Sequence, residues 1–412
     1  MMASGKTVIT AAIAFMAAAA TAGPVVKANS VTMIQGDDTV TIGYELESEP
    51  GVVTVDIQTN GVSIGGRHLT HFSGDVNRLV GVGRHTMTWK PYRAWPGNKI
   101  TEGVTAVVTA WATNAPPDYM AVHLVAAETV RYYADKESVP FGVTNDMYKT
   151  EWLLMRKIPA ANEVWRMGSP TNETGRTAKR EKARIVMIPN DYYIGVYPCT
   201  QRQYELIHGD RPSTFNNNAY YATRPLQKID YVSLRGATPT YDWPTTGHAV
   251  SPTGFFGLLR NLSGIKTFDF PGDAEWEFAC RAGTATAIYG SSLAAIACYN
   301  RTQDPGTDVD TTKGTTPVGS YEPNAFGLYD MIGNVWEYCR DWFQETEQEF
   351  DPLTGPTASS GNSSGNGCRM GRGGAWYRDS SVCRSAHRHP FNPSNADKQC
   401  GFRVWCEAMA VK

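Results

Sequence analysis

No cysteine occurs before Cys199, no two cysteines are spaced Cys-x-x-Cys, and no apolar run is long enough to cross a bilayer. The missing Cys-x-x-Cys removes the usual signature of a zinc ribbon or a thioredoxin-type redox site. A spanning helix needs about 20 apolar residues, and none is present. Charge of one sign is missing too. The 38 Lys and Arg against 40 Asp and Glu leave a net charge of −2, which gives no basis for binding nucleic acid or an anionic membrane. By contrast, 11 Trp and 39 Gly point to an irregular, loop-rich fold held by aromatic anchors. A chain of 412 residues has room for two or three folded units.

The first residues read as an export signal. Lys6 supplies a positive start, Val8 to Ala20 an apolar stretch, and Ala20-Thr21-Ala22 a small-x-small cleavage pattern before Gly23. Residues 1–22 are therefore expected to be a signal peptide and the mature protein to be secreted or periplasmic. In that compartment the even set Cys199, Cys280, Cys298, Cys339, Cys368, Cys383, Cys400 and Cys406 predicts that most thiols are bridged.

Residues 23–132 alternate with period two. Val40, Ile42, Tyr44 and Leu46 do so, as do Val53, Val55 and Ile57, with further alternation at 86–89, 104–111 and 120–124. Asn60-Gly61 is a hairpin signal and Pro96-Gly97-Asn98 a second turn. The pattern predicts an all-β, immunoglobulin-like sandwich. His68, His71 and His85 are scattered through it and assemble no site. Residues 133–158 read as a linker, and 159–412 as the functional domain. There Thr200-x-x-Gln203 is a capping box opening a helix that ends at Gly209. Phe255, Leu258, Leu259 and Leu262 form a helical stripe ended by Gly264, and a third helix covers Ala274–Ala282. The mixture predicts an α+β domain with little regular structure.

Five segments in this domain fall in a telling order: Met167-Gly-Ser-Pro170, then Tyr193-Ile-Gly195 leading into Thr200-Gln201, then Asp273-Ala-Glu-Trp-Glu-Phe-Ala-Cys-Arg281. Next come Asn324-Ala-Phe-Gly-Leu-Tyr-Asp-Met-Ile-Gly-Asn-Val-Trp-Glu337 and Arg372-Gly-Gly-Ala-Trp376, closed by Gly401-Phe-Arg403. The order resembles the formylglycine-generating enzymes, or sulfatase-modifying factors. The resemblance implies a compact fold related to C-type lectins and a protein or peptide substrate such as a sulfatase. Trp276, Trp336 and Trp376 are expected to be core anchors, and Gly373-Gly374 to serve a backbone turn.

Asp330 and Glu337 flank a Gly-Asn turn, so carboxylates and carbonyls can converge on calcium, which takes about six to eight oxygens. The resemblance assigns Asp330 and Glu337 as side-chain ligands and Gly333 and Val335 as carbonyl ligands. It implies a second calcium site at Asn300 and Asp310, with carbonyls of Arg301 and Thr312. Members of the family that oxidise a substrate cysteine hold copper between two thiolates, donors suited to Cu(I). Here Cys383 stands at the second of those positions, Arg378 at the first, and Ala375 replaces the preceding serine. A lone thiolate beside a guanidinium does not reproduce a two-sulfur site, although arginine lowers a thiol pKa. Oxidase activity then requires a rearranged pair, with Cys368 and Cys400 nearest in sequence.

A related iron-dependent branch uses a His-x-x-x-His-x-Glu motif. This chain lacks it, and His387-x-His389 offers only two ligands. The alternative is a ligand-binding module of lectin-like type, using Trp376, Tyr377, Asp379, Ser380, His387, His389 and Asn392 as contacts for an unidentified surface ligand. The resemblance also implies a bridge from Cys280 to Cys406 or Cys400. A second bridge, Cys339 to Cys383, is expected because both lie beside anchor motifs.

Overall fold

The computed structural model describes residues 8–10, 23–98, 100–126, 129–216, 220–237, 240–241, 243, 249–301, 313–343 and 367–408. The expected signal segment lies outside them except for Val8–Thr10, whose backbone pairs with residues 32–34. The chain divides into two compact units, one reaching Ala121 and including Val130–Asn145, the other comprising Val122–Thr129 and Asp146–Glu407. The stretch expected as a linker is shared between them. Its later part carries a 3-10 turn at Asp146–Lys149 and a strand at Trp152–Ile158.

In the first unit, β1 (Val25–Val26), β2 (Thr32–Gln35), β3 (Val40–Glu47), β6 (Phe72–Gly74) and β8 (Gly83–Trp89) form one antiparallel sheet. The other sheet is built from β4 (Gly51–Thr59), β5 (Val62–Ser63), β7 (Arg78–Val80) and β9 (Val104–Trp111). Alternation decides which faces are buried. Val40, Ile42, Tyr44 and Leu46 of β3 and Val53, Val55 and Ile57 of β4 enter one shared core with Trp89. The β4–β5 hairpin turns at Asn60-Gly61, where φ is 51° and 80°, the mirror-image turn that suits strand twist.

Among the described residues, the second unit holds three small sheets. β10 (Trp152–Ile158) pairs with β13 (Tyr192–Gly195), which pairs with β18 (Trp405–Glu407). β11 (Glu163–Met167) and β12 (Arg184–Ile188) form a ribbon. The third sheet centres on β14 (Trp336–Trp342), which lies antiparallel to β15 (Arg369–Arg372) and parallel to β17 (Cys400–Gly401); β15 also pairs with β16 (Arg388–Phe391).

The capping box places α1 at Gln201–His208. The Thr200 hydroxyl accepts from Gln203 N–H, and Gly209 ends the helix at φ 93°. The apolar stripe becomes α2 (Phe255–Ser263) and the third expected helix α3 (Asp273–Arg281). Trp276, Ala279 and Cys280 of α3 pack with Ile194, Met331, Met370, Cys383 and Trp405 in the main core.

All eight cysteines are free thiols, so neither the expected bridge from Cys280 to Cys406 or Cys400 nor the one from Cys339 to Cys383 is formed. The thiols serve as small apolar side chains instead. Cys280 Sγ donates to Ser385 Oγ at 3.6 Å and Cys298 Sγ to the Gly314 carbonyl at 3.6 Å, while Cys339 is fully buried. Burial pushes the Cys280 thiol up to about 12 and Cys298 to about 11, which suppresses the reactive thiolate. Only Cys368 is partly exposed; the other seven are buried. Alkylation of the native protein without reductant is therefore expected to modify Cys368 first, and all eight thiols after denaturation. Fewer than eight by mass spectrometry would reveal bridges.

Candidate functional site

Helix α3 is wired into the fold at its first turn. The Gly272 N–H donates to Glu275 Oε2 at 2.6 Å and the Asp273 N–H to Asp341 Oδ2 at 2.7 Å, which places carboxylates at the positive end of the helix. Arg372, the last residue of β15, reaches the same helix. Its Nε lies 2.5 Å from Asp273 and its Nη2 2.5 Å from Glu277, while Nη1 donates to the carbonyls of Ser385 (2.9 Å) and His387 (3.0 Å). Burial works against ionisation of Asp273, but Arg372, Arg388 and Arg184 hold its carboxyl down at about 2. Asp341 has no such set of partners. Burial, then the nearby Asp273 charge, lifts its carboxyl to about 6.

The turn after Arg372 brings the motifs together. Gly373 and Gly374 have φ of 90° and 80°. A Cβ on Gly374 would lie 2.6 Å from Cys383 Sγ, and one on Gly373 2.8 Å from the Met331 carbonyl oxygen. Only glycine fits both the backbone and the space. The Gly333 N–H donates to the Gly373 carbonyl at 2.9 Å and the Trp376 N–H to the Asn334 carbonyl at 3.0 Å. The two loops read from sequence as separate motifs are thus stitched side by side.

On the first loop, Asp330, Gly333 and Asn334 all have positive φ. The Asp330 carboxylate is buried and accepts from Gly319 N–H (2.6 Å) and Asn334 Nδ2 (3.4 Å). Burial raises its carboxyl to about 6, and it forms no ion pair among the described residues. Glu337 differs. Arg403 binds it through Nη2 (2.8 Å) and Nε (3.1 Å), and the Trp276 indole N–H donates to it at 2.7 Å. Asp330 is therefore a hard-oxygen donor whose charge is not compensated by contact, whereas Glu337 already has a counter-charge. Of the second calcium set, Asp310 and Thr312 lie outside the described residues. The Asn300 N–H donates to the Arg378 carbonyl (2.7 Å) and the Arg301 N–H to the Trp376 carbonyl (2.8 Å), which binds this segment to the second loop.

Cys383 is fully buried in the main core. Burial pushes its thiol up to about 12, against the Ala375 N–H that favours the thiolate. Arg378 occupies the position that the resemblance gives to the other copper thiolate. Cys298 lies close enough to act electrostatically on Cys383. No group of three or more His, Cys, Asp and Glu side chains suited to a metal ion forms among the described residues.

The expected binding residues separate into two layers. Trp376 and His387 are buried, whereas Tyr377, Asp379, Ser380 and Asn392 are exposed and His389 is half-buried. Trp376 packs edge-on to Phe215 at 5.6 Å between ring centres. His387 is held by Glu181 (3.2 Å) and Arg384 (3.4 Å). Arg384 pairs with Glu173 and Glu181 and donates to the Gly175 carbonyl at 2.7 Å. Burial opposes ionisation of Glu181, yet His387 and Arg384 hold its carboxyl far below the usual range. This clamp draws residues 173–181 onto 381–388. Sequence reading missed that loop because its partners lie about 200 residues away (|i−j| of 203 for Arg384–Glu181). Arg180, Tyr321 and the Trp336 indole also escaped it, and Arg301 was read only for its carbonyl. Trp336 was read only as an anchor.

Residues 163–408 match the family described as "Sulfatase-modifying factor enzyme 1-like domain". The chain is 36% identical over 217 residues to "Serine/threonine-protein kinase pkn1" of Chlamydia pneumoniae, covering 53% of this chain and 33% of that protein. It is 32% identical over 147 residues to the "Formylglycine-generating enzyme" of Mus musculus, covering 32% and 37%. The chain thus spans about a third of the length of these curated relatives. Among solved structures, PvdO from Pseudomonas aeruginosa aligns with a TM-score of 0.47 at 23% identity, covering 62% of this chain and 94% of that one.

The Asp341 carboxyl titrates at about 6 in the fold against about 3.9 in an unfolded chain. Its stabilising contribution is therefore full below about pH 4 and lost as pH rises through 6. Asp341→Asn keeps an oxygen to accept the Asp273 N–H and removes the ionisation. Relative to the parent, the variant is expected to gain up to about 3 kcal/mol between pH 4 and 7, and nothing further below pH 4. Urea unfolding across that range measures it, and a pH-independent difference would contradict the assignment.

Proposed function

The chain belongs, through residues 163–408, to the sulfatase-modifying factor enzyme 1-like domain family, and on that premise we propose that it is a recognition protein rather than a formylglycine-forming oxidase. The single observation that carries this reading is the state of Cys383. It is buried to 0% exposure, its thiol is pushed up to about 12, and a guanidinium stands where a second soft ligand is required. The face bearing Tyr377, Asp379, Ser380, His389 and Asn392 is then the contact surface for a protein or other surface ligand. The first unit is read as an immunoglobulin-like spacer. The mature protein is read as exported after loss of residues 1–22.

Calcium fits the same reading at the first loop. Asp330 supplies an uncompensated buried carboxylate, and the carbonyls of Gly333 and Val335 lie on the same turn. Glu337 joins them only by releasing Arg403. Bound calcium would stiffen the loop that carries Asn334 and, through it, Trp376.

Two experiments test these readings. Copper-treated protein incubated in air with a Cys-x-Pro-x-Arg peptide is expected to give no aldehyde by mass spectrometry. Turnover that vanishes in Cys383→Ala would establish the oxidase, and its loss in Cys298→Ala as well would identify a rearranged pair. For calcium, saturation to about 100 times the dissociation constant adds about 2.7 kcal/mol of stability. Melting should rise with calcium, fall with chelator, and lose that difference in Asp330→Asn. Equal melting in calcium and chelator would sink the site.

A further inference from the structure

Among the described residues, three polar side chains on the two loops that the Trp376–Asn334 hydrogen bond joins and on the neighbouring strand β16 lack hydrogen-bonding partners. Trp336 is 1% exposed. Its backbone N–H donates to the Gln399 carbonyl at 2.8 Å, but its buried indole N–H finds no acceptor among the described residues. His389 lies flat on that indole, with ring centres 4.9 Å apart and planes at 20°, and meets Phe391 edge-on at 4.9 Å. Its ring nitrogens form no hydrogen bond among the described residues, unlike those of His387, which Glu181 and Arg384 engage.

The third is Arg378. Its backbone is pinned, the N–H donating to the Ala375 carbonyl at 2.8 Å and the carbonyl accepting from Asn300 N–H at 2.7 Å. Its guanidinium nevertheless forms no ion pair or side-chain hydrogen bond among the described residues, and its Nε is buried. The adjacent Asp379 does not satisfy it, because that carboxylate accepts from the Ser381 N–H (2.8 Å) and Oγ (2.5 Å). Arg180, from the loop clamped opposite, packs over Phe343 at 5.2 Å and also acts on His389. Burial, then Arg378, His387 and Arg180, push His389 down to about 4, so at neutral pH it is uncharged and carries one N–H.

Buried donors are nearly always paired in native proteins, and donors surrounded by positive charge are best paired by an acceptor-rich anion through charge-assisted hydrogen bonds. We infer that Trp336, Arg378 and His389 form an anion subsite that takes a carboxylate, sulfate or phosphate group carried on a larger ligand. The inference rests on the reading of residues 376–392 as a binding surface and assigns that surface a ligand chemistry. Arg378, as a pre-placed fork, provides the charge.

The test uses the full chain labelled at histidine and tryptophan nitrogens. Sodium sulfate, sodium phosphate and sodium acetate are titrated separately against chloride at matched ionic strength. The His389 imidazole and Trp336 indole resonances are identified from His389→Gln and Trp336→Phe. Saturable shifts of both resonances with at least one of the three anions are expected, with the His389 pKa raised by about 1 unit. The anion that produces them names the group. Arg378→Gln should weaken binding by about tenfold or more, and Arg378→Lys should retain part of it at an unchanged melting temperature. Shifts no larger than chloride gives, or equal affinity in Arg378→Gln, overturn the subsite. Aldehyde formation in the peptide assay together with saturable anion binding would overturn the recognition reading and leave the subsite standing. Neither aldehyde nor anion binding would remove the subsite alone.

Discussion

The buried contact of Arg372 with Asp273 and Glu277 is the interaction on which the second unit depends. Removing a guanidinium from water is repaid only when its donors are matched, and here Nε, Nη1 and Nη2 all have partners. The same carboxylates extend the wiring. Asp273 also holds Arg388 of β16 at 2.7 Å and Arg184 of β12 at 3.8 Å, and Glu277 accepts from Arg281 and from the Gly168 N–H. One helix face thereby fixes β12, β15, β16 and the Gly168 turn. With Arg372 immobile, the Gly373–Gly374 turn and the thiol of Cys383 behind it have no freedom to move apart.

Local chemistry was legible in the sequence wherever a short segment determines its own structure. The Thr200–Gln203 box, the Gly209 and Gly264 stops and the Val40–Leu46 alternation all became the elements their patterns imply, because caps and periodicity act over a few residues. Charge pairing was not legible. Arg372 meets Asp273 across 99 residues and Arg403 meets Glu337 across 66, and nothing in either segment announces the other. The cysteines misled for a related reason. An even count suits bridges, but each thiol was placed by apolar packing that the count does not encode.

The site shows the same division. Motif order located the two loops, and the structure then stitched them through Gly333–Gly373 and Asn334–Trp376. Which side chains face outward depended on tertiary context. Trp376 and His387, natural contact residues on composition, are consumed by the core and by the Glu181–Arg384 clamp. Glu337, a calcium ligand by resemblance, is already neutralised by Arg403. Arg378, which sequence comparison presents as a lost ligand, is held in place with its donors unspent.

The pairing of β13 with β18 has a consequence for how the chain is made. Gly195 and Arg403, which meet through a hydrogen bond at 2.7 Å, lie 208 residues apart. At about 5–20 residues per second, a ribosome needs about 10–40 s between these two points. During that interval Tyr193 and Ile194 have one of their two neighbouring strands yet to be synthesised, and β13 is an open edge. The two sheets built from β1–β9 are complete once Trp111 has emerged and the segment Val130–Asn145 follows soon after, so most of the first unit is made long before β18. The second unit must remain soluble with its last strand missing, which makes its vulnerability a matter of timing rather than of final stability.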